Sequence, residues 1–459
     1  MKNHLRNAFA AWYVITALVT ASLIAIYLRN GAKGFHLFIQ QWPLSNLVVT
    51  LAATFLTWLL LGILLYLFVN EKINAGNAFT VAGFFLVMFV YLNILRERFR
   101  YGDYAYYIEA ATAMLQHKTL PNTYLYLPLW AAILQFIVPL GDQGVLTILW
   151  IMNMIALGAF YFLLHRLLER YGFSVRFAVV VTVIFILINA PIQRTLGFVQ
   201  VNLLVMDLIL LGILYYPKNI LLSALMLALA VHLKTSPAVL VLAFLLERDW
   251  RWLAWFALSF LVIAVIPAAI NGISPYFDYL HNVVALTQIP DTNFHDTSFD
   301  SFLRFLDPFF GINILWTRVM IYIAKASLAL AAIIVMLKNV RGQSFISGDE
   351  RGNTLLNAIP PLFILMTLAS PIVWDHHGVF VTLSFLLMLK CIQSPSVWTW
   401  FGFAYFLEFI MPSFDFFPWS YGRLIAPMIV LGLMRGISKE RKTSRFFESA
   451  NEWFVKLPI

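Results

Sequence analysis

Ser370-Pro371-Ile372-Val373-Trp374-Asp375-His376-His377 stands where one apolar run, 354–370, gives way to the next, 374–390. The rest of the chain decides how this stretch is read. Of its 459 residues, 61% are hydrophobic and only 12% are charged, and the mean hydropathy is +0.82. Such a chain folds in lipid, where ionisable residues at the end of a membrane segment are costly and mark a site by default. The competing reading is an interfacial Trp374 anchor followed by polar residues at headgroup level.

Outward from this stretch, hydrophobic runs fill most of the chain. Fourteen apolar segments can be delimited, from 11–28 and 47–69 at one end to 395–411 and 423–435 at the other. Several are shorter than the ~20 residues that a perpendicular crossing needs. The pair 218–233 and 235–246 reads as two short helices or one broken helix, with Lys234, Thr235, Ser236 and Pro237 at the break. Run 128–139 is too short to span and reads as re-entrant or interfacial. The expectation is an all-α polytopic membrane protein with about 12–14 transmembrane helices. Residues 1–70 carry extra N-terminal helices, 71–435 the main membrane body and 436–459 a basic cytoplasmic tail. Run 11–28 reads as a retained helix, without a convincing small-residue cleavage site.

The formal charge is +9, but the basic residues sit in short loops between apolar runs. They therefore read as orientation signals, and nucleic acid is excluded as a partner. With the N-terminus inside, 19 of the 31 basic residues fall on the cytoplasmic side. Cys391 is the only cysteine, which excludes internal disulfides and thiolate metal clusters.

Two external loops are long. Loop 96–127 holds Arg96, Arg98, Arg100, Asp103, Glu109 and several tyrosines, and Tyr104 to Leu115 has the period of an amphipathic surface helix. Loop 272–314 holds Asp291, His295, Asp296, Asp300 and Arg304. Together with Asp375, His376 and His377, and with Arg194, Gln200, Asn202 and Lys234 at the same level, these residues gather on one face. One-sided accumulation points to an active site at the outer surface, fed from the lipid. A transporter would concentrate them near the midplane of broken helices.

Asp103 opens the surface helix, where it can be an N-cap or a general base that takes a proton from an acceptor hydroxyl. The arginines beside it suit a phosphate, or else anionic headgroups. Lys234, between apolar segments, needs a carboxylate, helix carbonyls or a substrate anion, unless it snorkels to the interface. His376 and His377 point about 100° apart on a helix, so an Asp–His contact is favoured over a shared metal, and no metal is expected. Asp207, Lys325 and Glu408 lie within apolar segments and read as interhelical pairing.

Four stretches resemble glycosyltransferase family 87, the GT-C enzymes that include bacterial polyprenyl-phosphate-mannose-dependent α-mannosyltransferases. They are Gly102-Asp103-Tyr104-Ala105-Tyr106-Tyr107 with Tyr124-Leu125-Tyr126-Leu127-Pro128; Gln200-Val201-Asn202; Lys234-Thr235-Ser236-Pro237 running to Trp250-Arg251; and Ser370-Pro371 through His377. Thr297 to Arg304 is similar to a weaker family segment. Leu127 stands where the family has proline, and two extra apolar segments precede residue 70.

The resemblance implies a GT-C fold and an inverting transfer from a lipid-phosphate sugar in the bacterial plasma membrane, at its outer face, with no cofactor. It implies Asp103 as the catalytic carboxylate with His376 or His377 near it. Arg98, Arg100, Arg194 and Lys234 are expected to bind the donor phosphate. Tyr104, Tyr107, Gln200, Asn202, Trp374, Asp375, Asp300 and Arg304 are expected to contact substrate. The expected partners are a polyprenyl-phosphate sugar, mannose first, and a glycan or glycolipid acceptor, together with the lipid bilayer. The alternatives are a flippase or transporter of lipid-linked sugars, a transferase using arabinofuranose or glucose, and a catalytically silent scaffold.

Overall fold

A computed structural model describes residues 70–94, 103–286, 296–310, 314–342, 352–411, 419–437 and 444–456, with scattered helical positions before residue 70. The described residues contain helices and turns and no strand. Among the described residues, four helical stretches are long and apolar enough to cross a bilayer, namely Ala75–Leu92, Val138–Arg170, Trp250–Asn271 and Arg318–Gly342. Asn202–Tyr215, Ile220–Leu233, Ser236–Leu246 and Asn353–Leu368 are shorter apolar helices. The chain is an all-α polytopic membrane protein. The expected segments 11–28 and 47–69, and Arg96, Arg98, Arg100, Asp291 and His295, lie largely or wholly outside the described residues.

The first described helices are α1 (Ala75–Ile94), the short α2 (Tyr104–Leu115), α3 (Leu129–Leu134) and the long α4 (Gly141–Arg170). Helix α2 spans the residues expected for the surface helix and buries Tyr107, Ala110, Ala111 and Met114 on one face. Run 128–139 is a single short helix ending in a 3₁₀ turn, in keeping with a segment too short to cross.

A bent pair follows, α5 (Val175–Leu187) and α6 (Ala190–Gly197), with 59° between them. The bend has a local cause. Pro191 cannot continue the α5 ladder, and Asn189 caps the new helix by accepting the Ile192 N–H at 3.0 Å. Breaking a helix among apolar neighbours strands backbone carbonyls, which must find donors. Tyr91 Oη donates to the Ile186 carbonyl at 2.6 Å, and Tyr405 Oη to that of Ile188 at 2.9 Å.

Next come α7 (Asn202–Tyr215), α8 (Ile220–Leu233), a 3₁₀ turn over Ser236–Leu240, α9 (Val241–Leu246) and α10 (Trp250–Asn271). Helix α8 packs against both α7 and α10. Ser223 ties the three together, donating to the Gly212 carbonyl at 2.7 Å and accepting from Trp252 Nε1 at 2.9 Å. Such hydrogen bonds, with a small residue at the closest approach, are the usual means of holding helices in lipid. Lys234 ends α8 in extended conformation, and of the two readings of 218–246 the one with two short helices, Ile220–Leu233 and Ser236–Leu246, is realised.

The second half comprises α11 (Ser274–Leu286), α12 (Phe299–Phe310), α13 (Ile314–Gly342), α14 (Asn353–Leu368), α15 (Thr382–Met388), α16 (Pro395–Tyr405), α17 (Gly422–Ile437) and α18 (Arg445–Lys456). The run 374–390 is not one helix. It is a 3₁₀ turn, Asp375–Val379, followed by the short α15. The tail is more than a basic extension, because α18 docks on α5 with Phe447 edge-on to Phe173 at a centroid distance of 4.6 Å.

Helix α11 fastens the segment that carries Tyr124 and Tyr126. Asp278 accepts the Leu120 N–H at 3.0 Å, and buried Asn282 donates to the carbonyls of Pro121 (2.8 Å) and Tyr124 (3.2 Å). Asn282→Ala would leave two carbonyls unmatched and should destabilise the protein by about 1–3 kcal/mol. Hydrogen exchange is expected to rise across 118–127. Unchanged exchange there would show that this clamp carries no stability.

Candidate functional site

The turn between α6 and α7 aims two polar side chains into one place. Gln200 N–H returns to the Thr195 carbonyl at 2.9 Å and Val199 N–H to that of Leu196 at 3.2 Å, which is the glycine-type helix ending of a Schellman motif. Valine occupies the left-handed position, with φ of 56°. A β-branched residue there is strained, so packing and hydrogen bonds must hold the turn that presents Gln200 and Asn202.

Asp103 meets Gln200. The aspartate occupies the N-cap position of α2 but makes no capping hydrogen bond with its side chain. Its Oδ2 instead accepts from Gln200 Nε2. The Gln200 Oε1 accepts from Tyr107 Oη at 2.6 Å and lies 3.3 Å from Tyr126 Oη. Both ends of the Gln200 amide are therefore in use, which fixes its orientation and that of the carboxylate. The side chain of Asp103 thus serves something other than its own helix.

The second polar line starts at Lys234. Its Nζ donates to Asn202 Oδ1 at 2.8 Å and lies 5.3 Å from the Phe380 ring centroid. Asn202 Nδ2 in turn donates to the His376 carbonyl at 3.2 Å, which Thr195 Oγ1 also reaches at 3.2 Å. The turn containing both histidines is thereby tied to α6 and α7 by its backbone. The imidazole rings of His376 and His377 are 4.6 Å apart and nearly perpendicular. His377 Nδ1 accepts the Trp374 N–H at 3.2 Å, so this ring braces its own turn. His376 packs edge-on to Phe198, whose ring Arg194 overlies at 6.0 Å.

Burial sets the charge states. It raises the Asp103 carboxyl above the ordinary carboxylate range, against the pull of Gln200 and Lys234. It lowers Lys234 to about 7, with Asp103 opposing the shift. Burial and the nearby Lys234 hold both imidazoles well below the ordinary histidine range, so they are neutral. A carboxylate, an ammonium near its titration point and two neutral imidazoles in one buried cluster form an acid–base site able to bind an anion.

The structure therefore brings together Asp103, Tyr107, Gln200, Asn202, Lys234, His376 and His377. Tyr104 is half-buried beside them on α2. Other expected residues are engaged elsewhere. Asp300 pairs with Lys325 of α13, and Arg304 is half-buried on the same helix as Asp300. The Asp375 carboxylate is held by Arg423 at 2.8 Å, and Trp374 contributes its backbone to the His377 turn. Of the three expected interhelical pairing residues, Lys325 pairs with Asp300, whereas neither oxygen of Asp207 nor Oε2 of Glu408 has a hydrogen-bond partner among the described residues. Tyr126 and Arg423 are site neighbours that sequence reasoning passed over. Tyr126 stood in a motif already noted, and Arg423 stood at the edge of an apolar segment, where arginine is ordinary.

Residues 124–371 match the family model described as glycosyltransferase family 87. That is more than half of the chain. The protein belongs to glycosyltransferase family 87. No curated protein matches it. The matched stretch of this membrane glycosyltransferase includes Gln200, Asn202 and Lys234, while Asp103 precedes it and His376-His377 follow it.

The buried lysine has a consequence for stability that does not depend on turnover. Because its folded value is depressed to about 7, the unfolded chain binds the extra proton between about 7 and the ordinary lysine range. Lys234 should therefore make the fold more stable as pH rises through that window. Lys234→Met should abolish this slope in thermal unfolding at pH 7 to 10. An identical slope in the variant would place the ammonium in water.

Proposed function

We propose that this family 87 glycosyltransferase moves a sugar, mannose in the first instance, from a polyprenyl-phosphate donor to a hydroxyl of a glycan or glycolipid acceptor at the outer membrane face. Asp103 is the general base. Its carboxylate takes the proton of the acceptor hydroxyl while that oxygen bonds to the anomeric carbon. The bond from that carbon to the phosphate oxygen breaks, and the lipid phosphate leaves with the electron pair. Attack opposite the leaving group inverts the anomeric centre.

The reading rests above all on one observation, that the Asp103 side chain forgoes its helix cap for the buried Gln200 amide. A capping aspartate would contact its own backbone. One oriented through a doubly bonded amide is preorganised toward a substrate. Lys234 and Arg194 supply positive charge for the departing phosphate, and Arg98 and Arg100 are assigned the same role. His376, held neutral, is suited to hydrogen bonding with donor or acceptor hydroxyls.

Asp103→Asn preserves shape and removes the base. It should cut transfer of labelled mannose from polyprenyl-phosphate-mannose by about 10²- to 10⁴-fold, with normal amounts of protein in the membrane. Retained transfer would end the assignment of Asp103.

The pH profile tests Lys234 separately. Its charge is lost as pH rises through about 7, so the donor KM should climb above that point. Lys234→Arg stays protonated and should flatten the rise. A wild-type donor KM that is constant from pH 6 to 9 would remove Lys234 from the phosphate site.

A further inference from the structure

Arg423 is buried at the start of α17, and its guanidinium serves three groups at once. Nε donates to the Glu408 carbonyl at 3.1 Å, Nη2 to that of Met411 at 2.7 Å and Nη1 to Asp375 Oδ1 at 2.8 Å. The two carbonyls belong to a π-helical turn, Phe406–Ile410, and the residue after it. A helix that ends among apolar neighbours leaves such carbonyls without partners. Arg423 closes them and, with the same planar group, grips the residue that opens the histidine turn.

The turn is also pressed from behind. A methyl group at Gly378 would collide with the Glu408 carboxylate and would come within 2.7 Å of Pro191 Cγ. Only glycine lets the 3₁₀ turn seat between α6 and the π turn. π-Helical turns recur at functional sites, and this one packs against α6 and α17. On its other side the turn is held through the His376 carbonyl by Thr195 and Asn202, and Asn202 also holds Lys234. A polar line therefore runs from Arg423 through Asp375 and the turn to Asn202 and Lys234.

We propose that Arg423 is a positioning residue for the glycosyl-transfer site, setting the placement of His376 and His377 through Asp375 without itself touching substrate. The inference rests on the function proposed above. Its chemistry is geometric. Arginine presents a rigid fork of donors that can satisfy two carbonyls and a carboxylate together, and lysine, a point charge on a flexible stem, cannot. A displacement of about 1 Å in such a site can cost ~100-fold in rate.

Two measurements on the purified full-length protein in lipid nanodiscs test this. The first needs no turnover. In Arg423→Lys, hydrogen exchange should accelerate across residues 374–381, while exchange of 202–215 in α7 stays as in wild type. Unchanged protection at 374–381 overturns the proposal whatever the activity. The second is kinetic, with polyprenyl-phosphate-mannose as donor. Arg423→Lys should lower kcat ~10- to 100-fold with donor KM near the wild-type value. R423Q combined with D375N should be no slower than the slower of the two single variants. Additive losses, or a loss confined to KM, would overturn the assignment. A wild-type protein that is silent with every lipid-phosphate sugar would instead defeat the proposed function, and the exchange measurement would still decide the role of Arg423.

Discussion

A carboxylate and an ammonium kept out of water must be matched by polar partners, and the arrangement around Asp103 and Lys234 follows from that demand. Among the described residues neither is met by a direct ion pair. Asp103 is satisfied by the Gln200 amide and Lys234 by the Asn202 amide. The two amides stand two residues apart, at the strained turn that starts α7. One short stretch of backbone thus sets the spacing of a base and a cation. A direct bridge would neutralise both charges and leave neither for a substrate. Amide intermediaries keep each charge available at the expense of desolvation, which is why the carboxyl is raised and the lysine lowered.

Broken helices are what make room for this. An uninterrupted span uses its backbone groups internally and offers only side chains to its neighbours. The chain breaks at Asn189–Pro191, at Lys234–Pro237 and at Pro371–Gly378, and each break carries or adjoins a site residue. The carbonyls freed at these points become attachment sites, taken by Tyr91 and Tyr405 at the first break and by Thr195 and Asn202 at His376. Hydroxyls and amides that look misplaced in apolar sequence are the partners of interrupted backbone.

Much of this was legible in the sequence because lipid makes polar residues conspicuous. The period from Tyr104 to Leu115 matches α2 at both ends, and the Lys234-Thr235-Ser236-Pro237 break is where the polar residues and proline put it. The polar gathering of Asp103, Gln200, Asn202, Lys234 and the two histidines is real in three dimensions. The shortfalls have a common cause. Run 374–390 is apolar enough to pass for a span, yet it opens with a 3₁₀ turn that seats Gly378 where a side chain would meet Pro191 and Glu408, residues of distant segments. Arg423 begins an apolar run as countless flanking arginines do, and only tertiary packing buries it. Asp375, adjacent to the histidines in sequence, is assigned to Arg423 in space. Hydropathy reports where polar groups stand and is blind to which partner each one takes.

The boundaries of the family match bear on the same point. Residues 124–371 hold the amide turn and the lysine, and the carboxylate and the histidine turn join that stretch from either side by hydrogen bonds. Gln200 and Asn202 are therefore where the parts of the site join. Asn202 spends one end of its amide on Lys234 inside the matched stretch and the other on the His376 carbonyl outside it, and Gln200 joins Asp103 and Tyr107 outside the stretch to Tyr126 within it. A substitution at either amide releases two partners at once. Loss of Gln200 would free Asp103 and Tyr107 together, and loss of Asn202 would free Lys234 and the His376 turn together. Each amide couples two groups of the site, and the one turn that carries both amides sets the base and the cation relative to each other.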